Sequence, residues 1–324
     1  MPHNSKIVCV VVALMIARSE TSAGDWSSKL SSNELSVKMF YSDLSLLHRA
    51  RPDSFEIQNT PLPPKTGVNY GRLTFIGGTL LGVMVVTHLY QQSGWWKDNR
   101  RPFHFEEDLT YALNYDKVSH LYASSFLTFL FSKSFEWANF SESSALLMGA
   151  GGSVLFQTYV ELEDGFSTWG FDRVDYAANV VGAVWPLVRY HIPSLQNYDL
   201  KFSYLPSKNF NRPGDFPGQR HLFFDDYEGQ TNWLSVKVNN LLPKVAEPYW
   251  PDFLCVAFGF AGRGFFESEP PYRVYLVGLD FDMTEIIPQN TWFLKTLGEA
   301  LNFIRFPAPA VRFSPNTIWY GLYF

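Results

Sequence analysis

The sequence predicts a mainly α protein, an apolar four-helix membrane-associated bundle followed by a smaller mixed α/β C-terminal region. Three observations carry that expectation. Four apolar segments of helical length lie between residues 73 and 188, charged residues are gathered into knots at the ends of those segments, and beyond Pro193 the chain changes to loop signals and short strand-like runs. The expected organisation is a signal peptide over 1–23, a polar N-terminal arm over 24–70, a helical domain over 71–195 and the mixed α/β region over 196–324.

The first of these pieces rests on Lys6, an uncharged run from Ile7 to Ala17, and small residues up to Ala23, the layout of a secretory signal peptide. The apolar run is short for crossing about 30 Å of hydrocarbon, so export is expected rather than anchoring by this segment. Cys9 lies inside it, and its removal leaves Cys255, which excludes an internal disulfide and reads as a small buried hydrophobe. The following arm carries a short helical hint at Leu44–His48 and a proline-rich stretch from Pro61 to Lys65.

The first apolar segment, Leu73 to Tyr90, places Gly77, Gly78 and Gly82 at spacings that allow close helix approach, and Trp95, Trp96 and Lys97 follow as an expected membrane-interface pairing. The others run over about 118–131, 145–160 and 176–188. The mean hydropathy of −0.09 is low for a chain lying mostly in a membrane. Beyond them, loop signals fill 204–229, and Trp233 to Pro243 reads as an amphipathic helix stopped by proline. Strand-like runs at 253–260, 272–282 and 317–324, with a helix over 291–304, predict three or four strands. The alternation of Ile318, Tyr320, Leu322 and Phe324 resembles the last strand of outer-membrane barrels, but the strand count points to a terminal strand in a small sheet.

Aromatic residues make up 17% of the chain and the net charge is −5, with no concentrated basic run. Nucleic acid is therefore excluded as a partner, and the absence of phosphate-cradling loops excludes nucleotides.

The candidate chemistry lies between Asp116 and Gly182. Asp116 and His120 are four residues apart, one helical turn on the same face, so the carboxylate can orient the imidazole; taken alone, Asp116 reads as a helix cap. Lys117 points to a neighbouring face, free to pair with a carboxylate elsewhere. Glu161 and Asp164 close an apolar helix where its dipole disfavours negative charge, and Gly165 reads as a left-handed C-terminal glycine. Asp172 reads as the cap of the next helix, and Asp175 and Asn179 follow on one face, with Gly182 allowing a close neighbour. Buried charges on separate helices are costly unless they converge, so Asp116, His120, Glu161, Asp164, Asp175 and Asn179 are expected in one cluster. The candidate catalytic set is His120, Asp116, Glu161 and Asp175. The candidate metal set is His120, Glu161 and Asp164 around a divalent cation, with Lys117 and Asn179 as structural members. His88 is expected to be an interfacial or core histidine.

Three motifs, Tyr115-Asp116-Lys117-Val-Ser-His120, Phe156-Gln157 through Glu161-Leu-Glu-Asp164-Gly165, and Asp172-Arg-Val-Asp175 through Asn179 and Gly182, resemble the uncharacterised YfiM-like family of predicted periplasmic lipoproteins. More distantly they are similar to VanZ-like membrane proteins, and the C-terminal half resembles longer members from Bacteroidetes-type bacteria. The lipidated cysteine of that label has no suitably placed counterpart. The resemblance implies a helical core and an exported, periplasm-facing, membrane-associated location in the bacterial cell envelope, with the outer membrane as one address, and membrane lipid or an envelope component as partner. It implies no reaction. Two functions follow as expectations: a structural or partner-binding envelope protein with a buried polar cluster, or an envelope hydrolase or transferase acting on lipid-linked substrate with His120 as base or metal ligand.

Overall fold

The computed structural model describes residues 67–92, 96, 99–107, 109–212, 223–224, 226–265 and 270–324. The signal peptide and the short helix expected at Leu44–His48 lie outside these residues.

Helix α1 spans Tyr70–Gln91 and starts at Asn69, whose side chain accepts from the Arg72 amide at 2.9 Å. It is the one described helix long and apolar enough to cross a membrane, and only 6% of its apolar stretch is buried. The close packing expected at Gly77, Gly78 and Gly82 is not found, since a Cβ at any of the three would meet nothing within 4 Å. Trp96 is fully buried and donates its indole N–H to Asp164 at 2.7 Å, so it is not placed as an interface anchor. Trp95 and Lys97 fall outside the described residues.

Helices α2 (Tyr115–Trp137), α3 (Glu142–Gly165) and α4 (Arg173–His191) pack on one another and form the helical layer. The expected four-helix membrane bundle is thus replaced by three mutually packed helices with α1 at their flank. Small and polar residues line the contact. In α3 the buried positions are Ala145, Gly149, Ser153, Gln157, Glu161 and Gly165, one every fourth residue, with Ala150 beside them. Leu147, Leu155 and Leu162 of the same helix are exposed. Small residues let backbones approach, and hydroxyls then reach carbonyls of the neighbouring helix: Ser153 donates to the Ser124 carbonyl at 2.8 Å and Thr128 to that of Ala183 at 3.0 Å. Gly149 and Gly182 are the tightest points, because a Cβ would lie 2.1 Å from Ser132 Oγ at the first and 2.1 Å from the Leu121 carbonyl oxygen at the second, both on α2.

The C-terminal half is a six-stranded antiparallel meander in the order β3 (Tyr198–Tyr204), β4 (Gln230–Val236), β5 (Leu254–Arg263), β6 (Tyr272–Phe281), β7 (Ala308–Ser314) and β8 (Ile318–Tyr323). The short parallel pair β1 (Phe105–Glu106) and β2 (Phe171–Asp172) ties the loop before α2 to the start of α4. Helices α5 (Met283–Ile286) and α6 (Trp292–Leu301) fill the connection before β7. The sheet therefore exceeds the three or four strands expected. The amphipathic helix predicted from Trp233 is instead the end of β4 and a turn over Asn239–Leu241. In β4 the side chains alternate, with Trp233 against the sheet core and Leu234 against α2, so pairing on both edges overrides the local helical pattern.

The inner side of the sheet holds Trp233, Ala257, Ala261, Val274, Leu276 and Ala310. It also holds the Lys201–Asp280 ion pair at 2.8 Å, with both side chains 0% exposed, and Arg305 stacked 3.9 Å over the Trp233 ring. The segment 303–305 hydrogen bonds to Phe202 on the free edge of β3, and Arg305 reaches the Tyr323 carbonyl on β8 at 2.7 Å, so one segment ties both edges of the meander.

The Gly182 contact generates a direct expectation. Gly182→Ala should lower stability by about 1–3 kcal/mol in chemical unfolding because backbone must shift. Gly78→Ala, set in open space, should be neutral or slightly stabilising; equal effects of the two would contradict the packing described.

Candidate functional site

The three helices bring most of the expected residues to one place, at the start of α2 and α4 and the end of α3. Asp172 caps α4, accepting from the Val174 amide at 2.7 Å and the Asp175 amide at 3.3 Å, as its position in the sequence predicts. Asp116 is not a cap. It sits buried in the first turn of α2, and its Oδ1 accepts from the Tyr227 hydroxyl at 2.7 Å, a group from the loop before β4. The Lys117 ammonium lies 2.9 Å from Asp172, 2.9 Å from Asp175 and 3.5 Å from Asp116, so it bridges α2 to the start of α4.

One turn further along, Asn179 joins all three helices. Its Oδ1 accepts from Ser124 at 2.9 Å and lies 3.1 Å from His120 Nδ1, and its Nδ2 donates to Glu161 at 3.0 Å. Gln157 continues the chain, donating to Ser124 at 2.9 Å. His120 has Asp116 at 3.6 Å from Nε2 and Glu161 at 3.7 Å from Nδ1. It keeps 23% of its side chain exposed against 3% for Glu161, so it is the member nearer to solvent.

Asp164 stands apart, held by Trp96, and His88 lies against Tyr159 and Trp96 rather than in the cluster. Of the expected metal set His120, Glu161 and Asp164, only His120 belongs to the group whose ligand atoms all lie within 4.8 Å of one another, which is Asp116, His120 and Asp175. Gly165 does not take the left-handed conformation expected of it; it makes room for Phe103, whose ring atoms a Cβ would meet at 2.4 Å.

The electrostatics follow from five carboxyl groups sharing two cations in a dry place. Burial pushes Glu161 up to about 8 against the opposing charge of His120, and pushes Asp164 up to about 6 against the Trp96 N–H. Burial and then the neighbouring Asp116 charge raise Asp175 to about 7. Burial works against the charge on Asp116 too, but His120, the Tyr227 hydroxyl and Lys117 outweigh it and hold Asp116 below the usual carboxylate range. Burial likewise opposes the charge on His120, yet Asp116, Asp175 and Glu161 together raise it to about 9. At neutral pH His120 is therefore a cation and Glu161 a neutral acid, so the group is set up to hold protons rather than to accept one at His120.

Tyr227, Ser124, Gln157 and Trp96 are members that sequence reasoning missed. Ser124 follows His120 by four residues and Gln157 precedes Glu161 by four, so helical spacing carried a signal for both. Tyr227 and Trp96 come from connecting segments and had none.

Residues 104–191, which contain this whole cluster except Tyr227 and Trp96, match a family described as "Predicted periplasmic lipoprotein (DUF2279)". That description agrees with an exported, membrane-associated protein of the bacterial envelope. No curated protein and no solved structure matches the chain.

The shifts fix a pH dependence. A group whose folded pKa is raised contributes stability that is present at low pH and is lost as pH rises through the folded value. Asp164, Asp175, Glu161 and His120 all have that sign, with values of about 6, 7, 8 and 9. The unfolding midpoint should therefore fall between pH 6 and 9. A midpoint that rises over this window would contradict the protonation pattern.

Proposed function

We propose that this is a non-catalytic, membrane-attached protein of the bacterial envelope, in which the polar network fixes the register of three helices and the C-terminal sheet presents a surface to an envelope component. The observation that carries this reading is Asn179, whose single amide bonds at once to α2 and α3 from α4. A side chain satisfied on both of its ends by groups on two other helices specifies one packing arrangement, since any slip leaves several buried polar groups unpaired. The likeness to YfiM-like and VanZ-like proteins supports the same reading, as their shared residue order is the set that meets here.

Asn179→Ala should then cost about 1–3 kcal/mol, the penalty for leaving buried hydrogen-bonding groups without a partner, and the variant should disappear from the envelope fraction. A variant that keeps native stability and location would overturn the proposal.

A second reading, an envelope enzyme or cation-binding protein using Asp116, His120 and Asp175, is favoured by one observation: the Asp175 Oδ1 atom is buried without a hydrogen-bond partner. Such an oxygen is satisfied either by a proton shared with Asp116 or by a cation. The Lys117 ammonium already supplies positive charge 2.9 Å from the other oxygen of Asp175, which favours the proton. Chelator treatment of the purified protein should accordingly leave its unfolding midpoint unchanged; a drop of several degrees restored by added magnesium or zinc would establish the second reading instead.

A further inference from the structure

The sheet is polarised in the reverse sense to a water-soluble one. Its inner side carries the fully buried Lys201–Asp280 pair, with Asp280 also accepting from Ser235 at 2.6 Å, together with Ser203, Thr231 and Arg305. Its outer side is apolar in a row that crosses all six strands, because the register pairs Leu200 with Leu234, Leu234 with Phe258, Phe258 with Val277, Val277 with Val311 and Val311 with Trp319. Over β3 and β4 this row is covered by Val118, Leu121 and Tyr122 of α2 around a small apolar cavity of about 140 Å³. Over β6 to β8 the row itself continues uncovered by any described helix, and on this face of β6 the turn before α2 reaches only as far as Arg273, which donates to the Leu113 carbonyl at 3.0 Å and to Asn114 at 2.6 Å. Trp319 is 80% exposed and Leu322 63%, and Phe313 and Tyr275 stack on the same side with ring centres 6.2 Å apart, both exposed.

We infer that the outer face of β6, β7 and β8 lies against a lipid bilayer. Monomeric proteins in water seldom leave so continuous an apolar surface open. Polar-in, apolar-out alternation with outward aromatic side chains is the pattern that hydrocarbon selects on a β-surface, because it keeps every charge away from lipid. A second protein surface would not explain why the Lys201–Asp280 pair and Arg305 lie on the inner side, while the charge on the outer face of β6 is Arg273, drawn off to the turn before α2. The apolar, outward-facing α1 supplies a second element of matching chemistry. The inference does not depend on the role assigned to the helical network.

The bulge between Ala308 and Ala310 decides which residues of β8 take part. It places Tyr320 and Tyr323 inward against the core and Trp319 and Leu322 outward, so the simple alternation in the sequence does not describe the face.

The test uses the full chain carrying Cys9→Ser, Cys255→Ala and Trp319→Cys, labelled with an environment-sensitive fluorophore and reconstituted into phosphatidylethanolamine/phosphatidylglycerol vesicles. Asn240→Cys, exposed on the turn after β4, serves as the control position. The label at 319 should shift to the blue, be quenched severalfold more by brominated lipid than the label at 240, and be shielded from aqueous iodide. Equal iodide quenching at both positions would overturn the inference. So would shielding at 319 without quenching by brominated lipid, which is the result expected if a second copy or the N-terminal residues cover the face. Loss of the helical network by Asn179→Ala leaves this readout interpretable, since the two are measured on separate variants.

Discussion

The Lys117 ammonium between Asp172 and Asp175 is the contact on which the helical layer depends. It is buried with its partners, so the charges compensate one another and not through water, and removing Lys117 would leave both carboxyl groups without their cation. Asp172 is committed twice, to Lys117 and to the free amides that begin α4, which fixes where that helix starts. From that start, two turns bring Asn179 opposite Ser124, His120 and Glu161, and the next brings Gly182 against Leu121. A single ion pair thus sets the phase of α4, and the amide and the glycine read it out.

Both layers of the molecule repeat one arrangement. In the helices, Ser, Gly, Gln and carboxyl groups are turned inward and leucines outward; in the sheet, Lys201, Asp280 and Arg305 are inside and aromatic residues outside. Hydrogen bonds and charge pairs therefore carry specificity that large apolar side chains supply in most soluble cores. Glu161, uncharged at neutral pH, and Asp175, which titrates close to it, are the consequence in the helical layer, since five carboxyls cannot all stay ionised beside two cations.

The four helices, the position of β5, β6, β8 and α6, and most members of the cluster were legible in the sequence. Helical spacing and the cost of isolated buried charge were sufficient to group Asp116, His120, Glu161, Asp175 and Asn179. Strands β3 and β4 were not legible, because their polar inward residues, Lys201, Ser203, Thr231 and Ser235, break the apolar alternation by which strands are recognised, and β7 was not because small Ala308 and Ala310 and Pro309 give no strand signal. The same inversion hid the bundle's geometry: glycines in α1 suggested close packing that the structure places at Gly149 and Gly182 instead. Tyr227 and Trp96 depend on tertiary placement of connecting segments, about which local sequence says nothing.

Lys117 and α4 are energetically coupled, and a double-mutant cycle over Lys117→Met and Asp175→Asn measures that coupling directly. The two changes together should destabilise the protein by about 1–3 kcal/mol less than the sum of the separate effects, because once either group is gone the other has already lost the contact between them. Strict additivity in denaturant unfolding would show that the ion pair does not set the packing of the helices.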